Sequence, residues 1–296
     1  MFKERSFNTG KAEINFAEGP PSGPSLVLLP GLPSRWQEFL PILPAMVMQY
    51  HVYALDYRGQ GKSGRTPGQY QSKYYVADVV KFLQQQLAEP AILFGESAGG
   101  LIALGAGAQC PELVRAIIVG DSPIDMDRLG EWMTSEGFMY YFSALRALSG
   151  LDLPIADLII QIADIPFKVP GQKDPLRFGD RPDIDVVNIQ QLALTLNQMD
   201  PGVLEYHAEG RATEFIEGFD LDKSLESITS PVLLLQANPS LGGMMTDEAV
   251  EHVRSILPNV VHLYIEAAGH DLGLETWEVS PLIRAVTSFL GSCELG

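Results

Sequence analysis

The sequence predicts an α/β protein: a mostly parallel sheet flanked by helices, with a helical segment inserted into it. Three observations carry this prediction. Short apolar runs alternate with helix-like stretches over residues 1–121. Those runs are apolar at nearly every position, the pattern of strands covered on both faces. The alternation stops after Asp121 and resumes near residue 230. The expected organisation is therefore 1–121 for the first part of the core, 122–229 for a helical cap, and 230–296 for the second part of the core.

Each element has its own signal. "ERSFNTG" and "KAEINFAEG" read as a hairpin turning at Asn8, Thr9 and Gly10. "SLVLLP" (25–30) and "YHVYALD" (50–56) read as buried strands. "SKYYVADVVKFLQQQL" puts Tyr75, Val76, Val79, Val80 and Leu83 at helical spacing. "AILF" is a third buried strand, "SAGGLIALGAGAQ" a helix of small residues, and "RAIIVGD" (115–121) a fourth strand. In the cap, "MYYFSALRAL", "IADLIIQIAD", "DIDVVNIQQLALTLNQM" and "VLEYHAEGRATEFIEGF" read as helices. A segment of that length forms a layer of its own rather than a loop. "PVLLLQA", "TDEAVEHVRSIL", "VVHLYIE" and "SPLIRAVTSFLG" then restore the strand–helix rhythm.

Composition narrows the function. The 296 residues are 46% hydrophobic and 19% charged, which is globular. A formal net charge of −17 repels phosphate backbones and anionic lipid, so neither nucleic acid nor a membrane surface is an expected partner. No apolar run reaches the roughly 18 residues of a membrane span, and the first residues lack the apolar stretch of a secretory signal. The two cysteines, Cys110 and Cys293, show no metal-ligand spacing, so no metal is expected and a reducing, cytoplasmic compartment is the default. "DYRGQGKSG" lacks the spacing of a phosphate-binding loop.

The chemistry concentrates in "GESAGG". Gly95-Glu96-Ser97-Ala98-Gly99 fits G-x-S-x-G between a strand and a helix, a tight turn that lifts a serine hydroxyl clear of the sheet. The following helix points its N-terminus at the site, which favours developing negative charge. A serine hydroxyl needs a base. Of the five histidines, His51 and His262 lie in strands and His252 in a polar helix. His207 lies in the cap, where it is a candidate pocket residue. His270 follows the last strand in "AAGHD", at the edge where an open parallel sheet builds its site, and is the candidate general base. An oxyanion hole requires two backbone N–H groups. Ala98 offers one, and Leu32 in "PGLPSRW" offers the other, with Gly31 giving the loop room to turn.

Taken together, "LLPGLPSRW", "DYRGQGKSG", "GESAGG" and "AAGHD" resemble the α/β-hydrolase superfamily, in its capped, esterase-like branch. The resemblance implies the α/β-hydrolase fold and a cofactor-free hydrolase with a Ser/His/acid triad. A serine nucleophile argues against epoxide hydrolases and haloalkane dehalogenases, which resemble this fold but need aspartate there. Pro30 stands where many relatives have histidine.

The acid is the departure. The resemblance places it in the loop after "PVLLLQA", where this chain has Asn238. A neutral amide cannot offset an imidazolium charge. Asp121 is the preferred replacement, because it ends the fourth strand, and some branches of the superfamily, a group of mycotoxin lactonases among them, resemble this placement. The Asn238 position and Asp247 remain alternatives, although "TDEAVE" reads as a helix start. Candidate pocket residues are Gly31, Trp36, Glu96, Trp132 and His207, within a cap rich in aromatic residues such as Phe138, Tyr140, Tyr141, Phe142 and Phe167. The expected substrate is a small or medium apolar ester or lactone, attacked through an acyl-enzyme at Ser97. A C–C bond hydrolase, an amidase, a lyase and a non-catalytic ligand-binding protein are the alternatives.

Overall fold

The computed structural model describes residues 2–293 apart from 168–175, 182–183 and 258. β1 (Lys3–Asn8) and β2 (Glu13–Glu18) pair antiparallel about a turn in which Gly10 takes φ +81. The core then alternates through β3 (Ser25–Leu29), α1 (Leu43–Met46), β4 (His51–Leu55), α2 (Ser72–Gln86), β5 (Ala91–Glu96), α3 (Ala98–Gln109) and β6 (Val114–Gly120). Next come α4 (Met126–Thr134), α5 (Glu136–Leu148), α6 (Ile155–Ala163), the short pair β7 (Pro166–Phe167) and β8 (Leu176–Arg177), α7 (Val186–Asn197), α8 (Glu205–Ala208), α9 (Ala212–Phe215) and α10 (Leu221–Ser227). The core resumes with β9 (Val232–Ala237), α11 (Asp247–Ile256), β10 (Val261–Ile265) and α12 (Ser280–Ser292).

Eight strands form one sheet in the order β1-β2-β4-β3-β5-β6-β9-β10. The β1–β2 and β2–β4 pairs are antiparallel and all the others parallel. The unbroken apolar runs follow from burial on both faces. Val27, Leu29 and Leu93 pack with α2 and α3, whereas Leu26, Leu28, Ile92 and Phe94 pack with α1 and α12. Each such side chain contributes about 1.5–3 kcal/mol on full burial. Because β3, β5, β6, β9 and β10 are parallel, their carboxyl ends share one edge. The loops leaving that edge carry Gly31, Ser97, Asp121, Asn238 and His270.

Between β6 and β9 the chain adds no strand to this sheet among the described residues. Met133, Phe142, Leu145, Leu158, Ile162 and Leu196 of this segment join the same apolar cluster as Leu101 and Val119. Three helical regions differ from the sequence expectation. Residues 203–219 are not one helix: Gly210 at φ +64 separates α8 from α9. α4 and α10 add helices, each started by an aspartate whose side chain accepts a first-turn N–H, Asp125 from Arg128 and Asp220 from Lys223. Among the described residues no helix is long and apolar enough to cross a membrane.

Candidate active site

Ser97 sits at the β5–α3 junction with φ 51 and ψ −123, a conformation that side-chain-bearing residues rarely adopt. The flanking glycines are dictated by space. A Cβ on Gly95 would stand 2.0 Å from the Gly99 carbonyl oxygen, and one on Gly99 would stand 2.1 Å from that of Leu29. The turn is tied down on both sides: Ser97 N–H donates to Gly120 O (2.8 Å), and the Ser122 hydroxyl donates to Ser97 O (2.6 Å). Among the described residues, neither the Ala98 nor the Leu32 N–H is bonded to another protein group. Both residues line the cavity beside Ser97.

The structure brings Ser97, His270 and Asp121 into one chain of contacts. His270 Nε2 lies 2.9 Å from Ser97 Oγ, and Nδ1 lies 2.8 Å from Asp121 Oδ2. With the proton on Nδ1, His270 donates to Asp121 and can accept the Ser97 proton at Nε2. Asp121 is fully buried, with φ 34. Its Oδ1 accepts from Ala237 N–H (2.9 Å) and Met245 N–H (3.2 Å), and its Oδ2 also accepts from Met244 N–H (2.7 Å). The end of β9 and the loop after it thus supply three backbone donors that hold the Asp121 carboxylate.

The other two acid positions lie elsewhere. Asn238 caps the short turn Pro239–Leu241: its Oδ1 accepts from Ser240 N–H (2.9 Å) and Ser240 Oγ–H (2.8 Å), and its Nδ2 donates to Glu266 O (2.8 Å). Asp247 opens α11 and accepts from Gln236 Nε2 (2.8 Å). Neither contacts His270.

Glu96 is buried beside the serine, with Oε1 3.9 Å from His270 Nε2. Burial and the adjoining Glu38 push its carboxyl well above the usual range, and burial raises Glu38 as well. The Glu38 Oε2 accepts from Gly31 N–H (3.2 Å), so Glu38 braces the loop that carries Leu32. Glu38 was not legible as a site residue: it stands in an ordinary helical turn seven residues beyond Gly31.

A cavity of about 820 Å³ opens over Ser97 between the sheet edge and the helical segment after β6 (the cap side). Gly31, Glu96, Trp132 and His207 line it, as do Phe138, Tyr141 and Phe142. Trp36 does not. Its ring stacks on Phe2 (6.3 Å between centroids) and its indole N–H donates to Glu4 (3.0 Å), because the turn at Trp36–Phe39 faces the N-terminal strands there. Tyr140 is exposed, and the Phe167 side chain lies outside the described residues. His207 is buried among Phe138, Phe142 and Phe215, and burial alone pushes its imidazole down to about 4. Among the described residues its Nδ1 has no hydrogen-bond partner, and no His/Cys/Asp/Glu cluster suited to a metal is present.

Residues 24–147 match the family model described as the alpha/beta hydrolase fold. Over its whole length the chain is similar to 2-(acetamidomethylene)succinate hydrolase of Mesorhizobium japonicum, at 23% identity covering 98% of this chain and 95% of that one. It also resembles the crystal structure of an N-formylmaleamic acid deformylase from Pseudomonas putida S16, with TM-score 0.73 and 17% identity over 96% of this chain and all of that one. A carboxylesterase from Bacillus subtilis superposes with TM-score 0.67 and 19% identity, over 98% of this chain and 92% of that one.

Proposed function

From the premise that this chain belongs to the α/β-hydrolase superfamily, we propose that it is a serine hydrolase that cleaves a small carboxylic ester or lactone through an acyl-enzyme at Ser97. The observation that carries the reading is the contact chain from Ser97 Oγ through His270 to Asp121, at 2.9 and 2.8 Å. Ser97 Oγ attacks the scissile carbonyl as its proton passes to His270 Nε2. Asp121 holds the Nδ1–H and offsets the imidazolium charge. The carbonyl oxygen takes up negative charge between the Ala98 and Leu32 N–H groups. His270 returns the proton to the leaving group, and water then releases the acyl group from Ser97. The segment 122–229 acts as the lid whose apolar wall shields this chemistry from bulk water.

An amide bond is the second reading. It is favoured by the similarity to 2-(acetamidomethylene)succinate hydrolase and to the deformylase, and it uses the same residues. Turnover of p-nitrophenyl esters against the matching anilides separates the two readings. In either case Ser97→Ala lowers kcat by about 10⁶-fold. Activity that survives Ser97→Ala, with no labelling of Ser97 by a fluorophosphonate, sinks both.

A further inference from the structure

Two arginines are buried among the described residues, Arg58 at 1% exposure and Arg35 at 6%. The fold treats them differently. Arg58 is neutralised by Asp78, with Nε and Nη2 each donating to one carboxylate oxygen at 2.7 Å. Arg35, in the loop that carries Leu32, lines the cavity over Ser97 and forms no ion pair with any described residue. Its partners are neutral. Nε donates to Thr195 Oγ1 (3.2 Å), Nη2 to Gln191 Oε1 (2.9 Å) and Nη1 to Gln198 Oε1 (3.5 Å). Asp56 and Glu4 act on it only through space. Asp56 already accepts from Trp36 N–H, Asn15 Nδ2 and Lys62 N–H.

A guanidinium stays charged, and leaving one buried without a counter-ion is costly. Here the cost falls on a cavity wall, where a ligand can supply the missing charge. The geometry is already set. α7 and the residue that ends it grip all three nitrogens from the cap side, so the fork cannot swing away. Each terminal nitrogen carries two hydrogens and uses one, which leaves one N–H on each. A guanidinium with N–H groups to spare is a donor for a carboxylate. The opposing charges in the cavity are subdued. Glu38 and Glu96 are raised by burial, and Glu275 is raised to about 7 by burial of its carboxyl and by Asp271. Arg128 adds a second cation to the lining, and Asp271 an anion.

We propose that Arg35 is the substrate-recognition residue of this site, and that the compound hydrolysed carries a carboxylate besides the bond that Ser97 attacks. The inference rests on the hydrolytic reading above and narrows it, replacing a wholly apolar ester with an acidic one.

The test is calorimetric titration of Ser97→Ala, which retains the cavity but blocks turnover, with the monomethyl and dimethyl esters of succinate, glutarate and adipate. The best monoester binds roughly 10- to 100-fold more tightly than its dimethyl ester. Arg35→Met abolishes the difference. So does Gln191→Glu, which gives Arg35 an internal carboxylate from an exposed position and reports even where Arg35→Met fails to fold. The proposal is overturned if no monoester is preferred, or if the preference survives in Gln191→Glu. Wild-type turnover of the same esters reads the hydrolytic step separately. A charge preference in binding with no turnover by the wild type sinks the hydrolytic reading alone, whereas turnover of diesters without any preference for charge sinks the Arg35 proposal alone.

Discussion

The sheet side and the cap side of the cavity hold their polar groups in opposite ways. Around Ser97 and Asp121 the polar atoms are spoken for: Asp121 accepts three backbone N–H bonds plus His270, and Ser97 is tied through its N–H and its carbonyl. Towards the cap, among the described residues, His207 Nδ1 is unpartnered and Arg35 lacks a counter-ion. A satisfied polar group is fixed in place and suits chemistry that needs one geometry. A buried polar group left open is destabilising in the empty protein and stabilising in a complex. The first wall reads as reaction machinery, the second as recognition.

Changes that break the sheet side should cost the most. Asp121→Asn keeps the shape of the acid but offers an amide to the same donors. It should lower kcat by about 10⁴-fold with little change in KM, measured on a p-nitrophenyl ester. An effect under tenfold would remove Asp121 from the relay. A smaller loss is expected one layer out. Glu38→Leu takes away the acceptor of the Gly31 N–H and should reduce kcat/KM on the order of 10-fold, while Glu38→Gln, which still accepts that bond, should stay close to the wild type. Equal losses in the two variants would show that charge, not the Gly31 contact, is what matters.

On the cap side the smallest change in turnover comes with a distinct stability signature. His207 has its native imidazole pushed down to about 4 from 6.5. Between those values the unfolded chain binds a proton that the native protein refuses, so stability is present above 6.5 and falls as pH drops towards 4, by about 3 kcal/mol over the window. His207→Phe keeps the stack with Phe138, Phe142 and Phe215 and removes the titrating group. Urea unfolding at pH 7 and pH 4.5 should show a smaller acid loss in this variant than in the wild type. Identical acid losses would mean that His207 is protonated or partnered in the folded protein.

What was legible in the sequence follows the same division. β3, β5, β6 and β9 announced themselves because strands buried on both faces are apolar at nearly every position. The Ser97 elbow was legible because its backbone requires glycines at 95 and 99, and steric demands leave a fixed spacing. Asp121 was legible as the residue ending β6, although its backbone donors at 237, 244 and 245 come from more than a hundred residues away, a contact no local pattern encodes. The cap was harder. Its helices are short and amphipathic, and residues 203–219 carry a helical pattern that Gly210 interrupts. Trp36 read as a pocket wall because it follows the Leu32 loop, but the side chain one place earlier, Arg35, takes that position. An arginine between a serine and a tryptophan carries no sequence signal of burial.

The central claim is that the triad acid stands after β6, and that the loop after β9 contributes backbone donors rather than a carboxylate. The most direct test is kcat for the double variant Asp121→Asn/Asn238→Asp beside Asp121→Asn alone. The Asn238 side chain faces Ser240 and the Glu266 carbonyl, so a carboxylate there should leave the double variant within about twofold of the single one. Recovery of turnover by orders of magnitude would contradict the account and place the acid in the loop after β9.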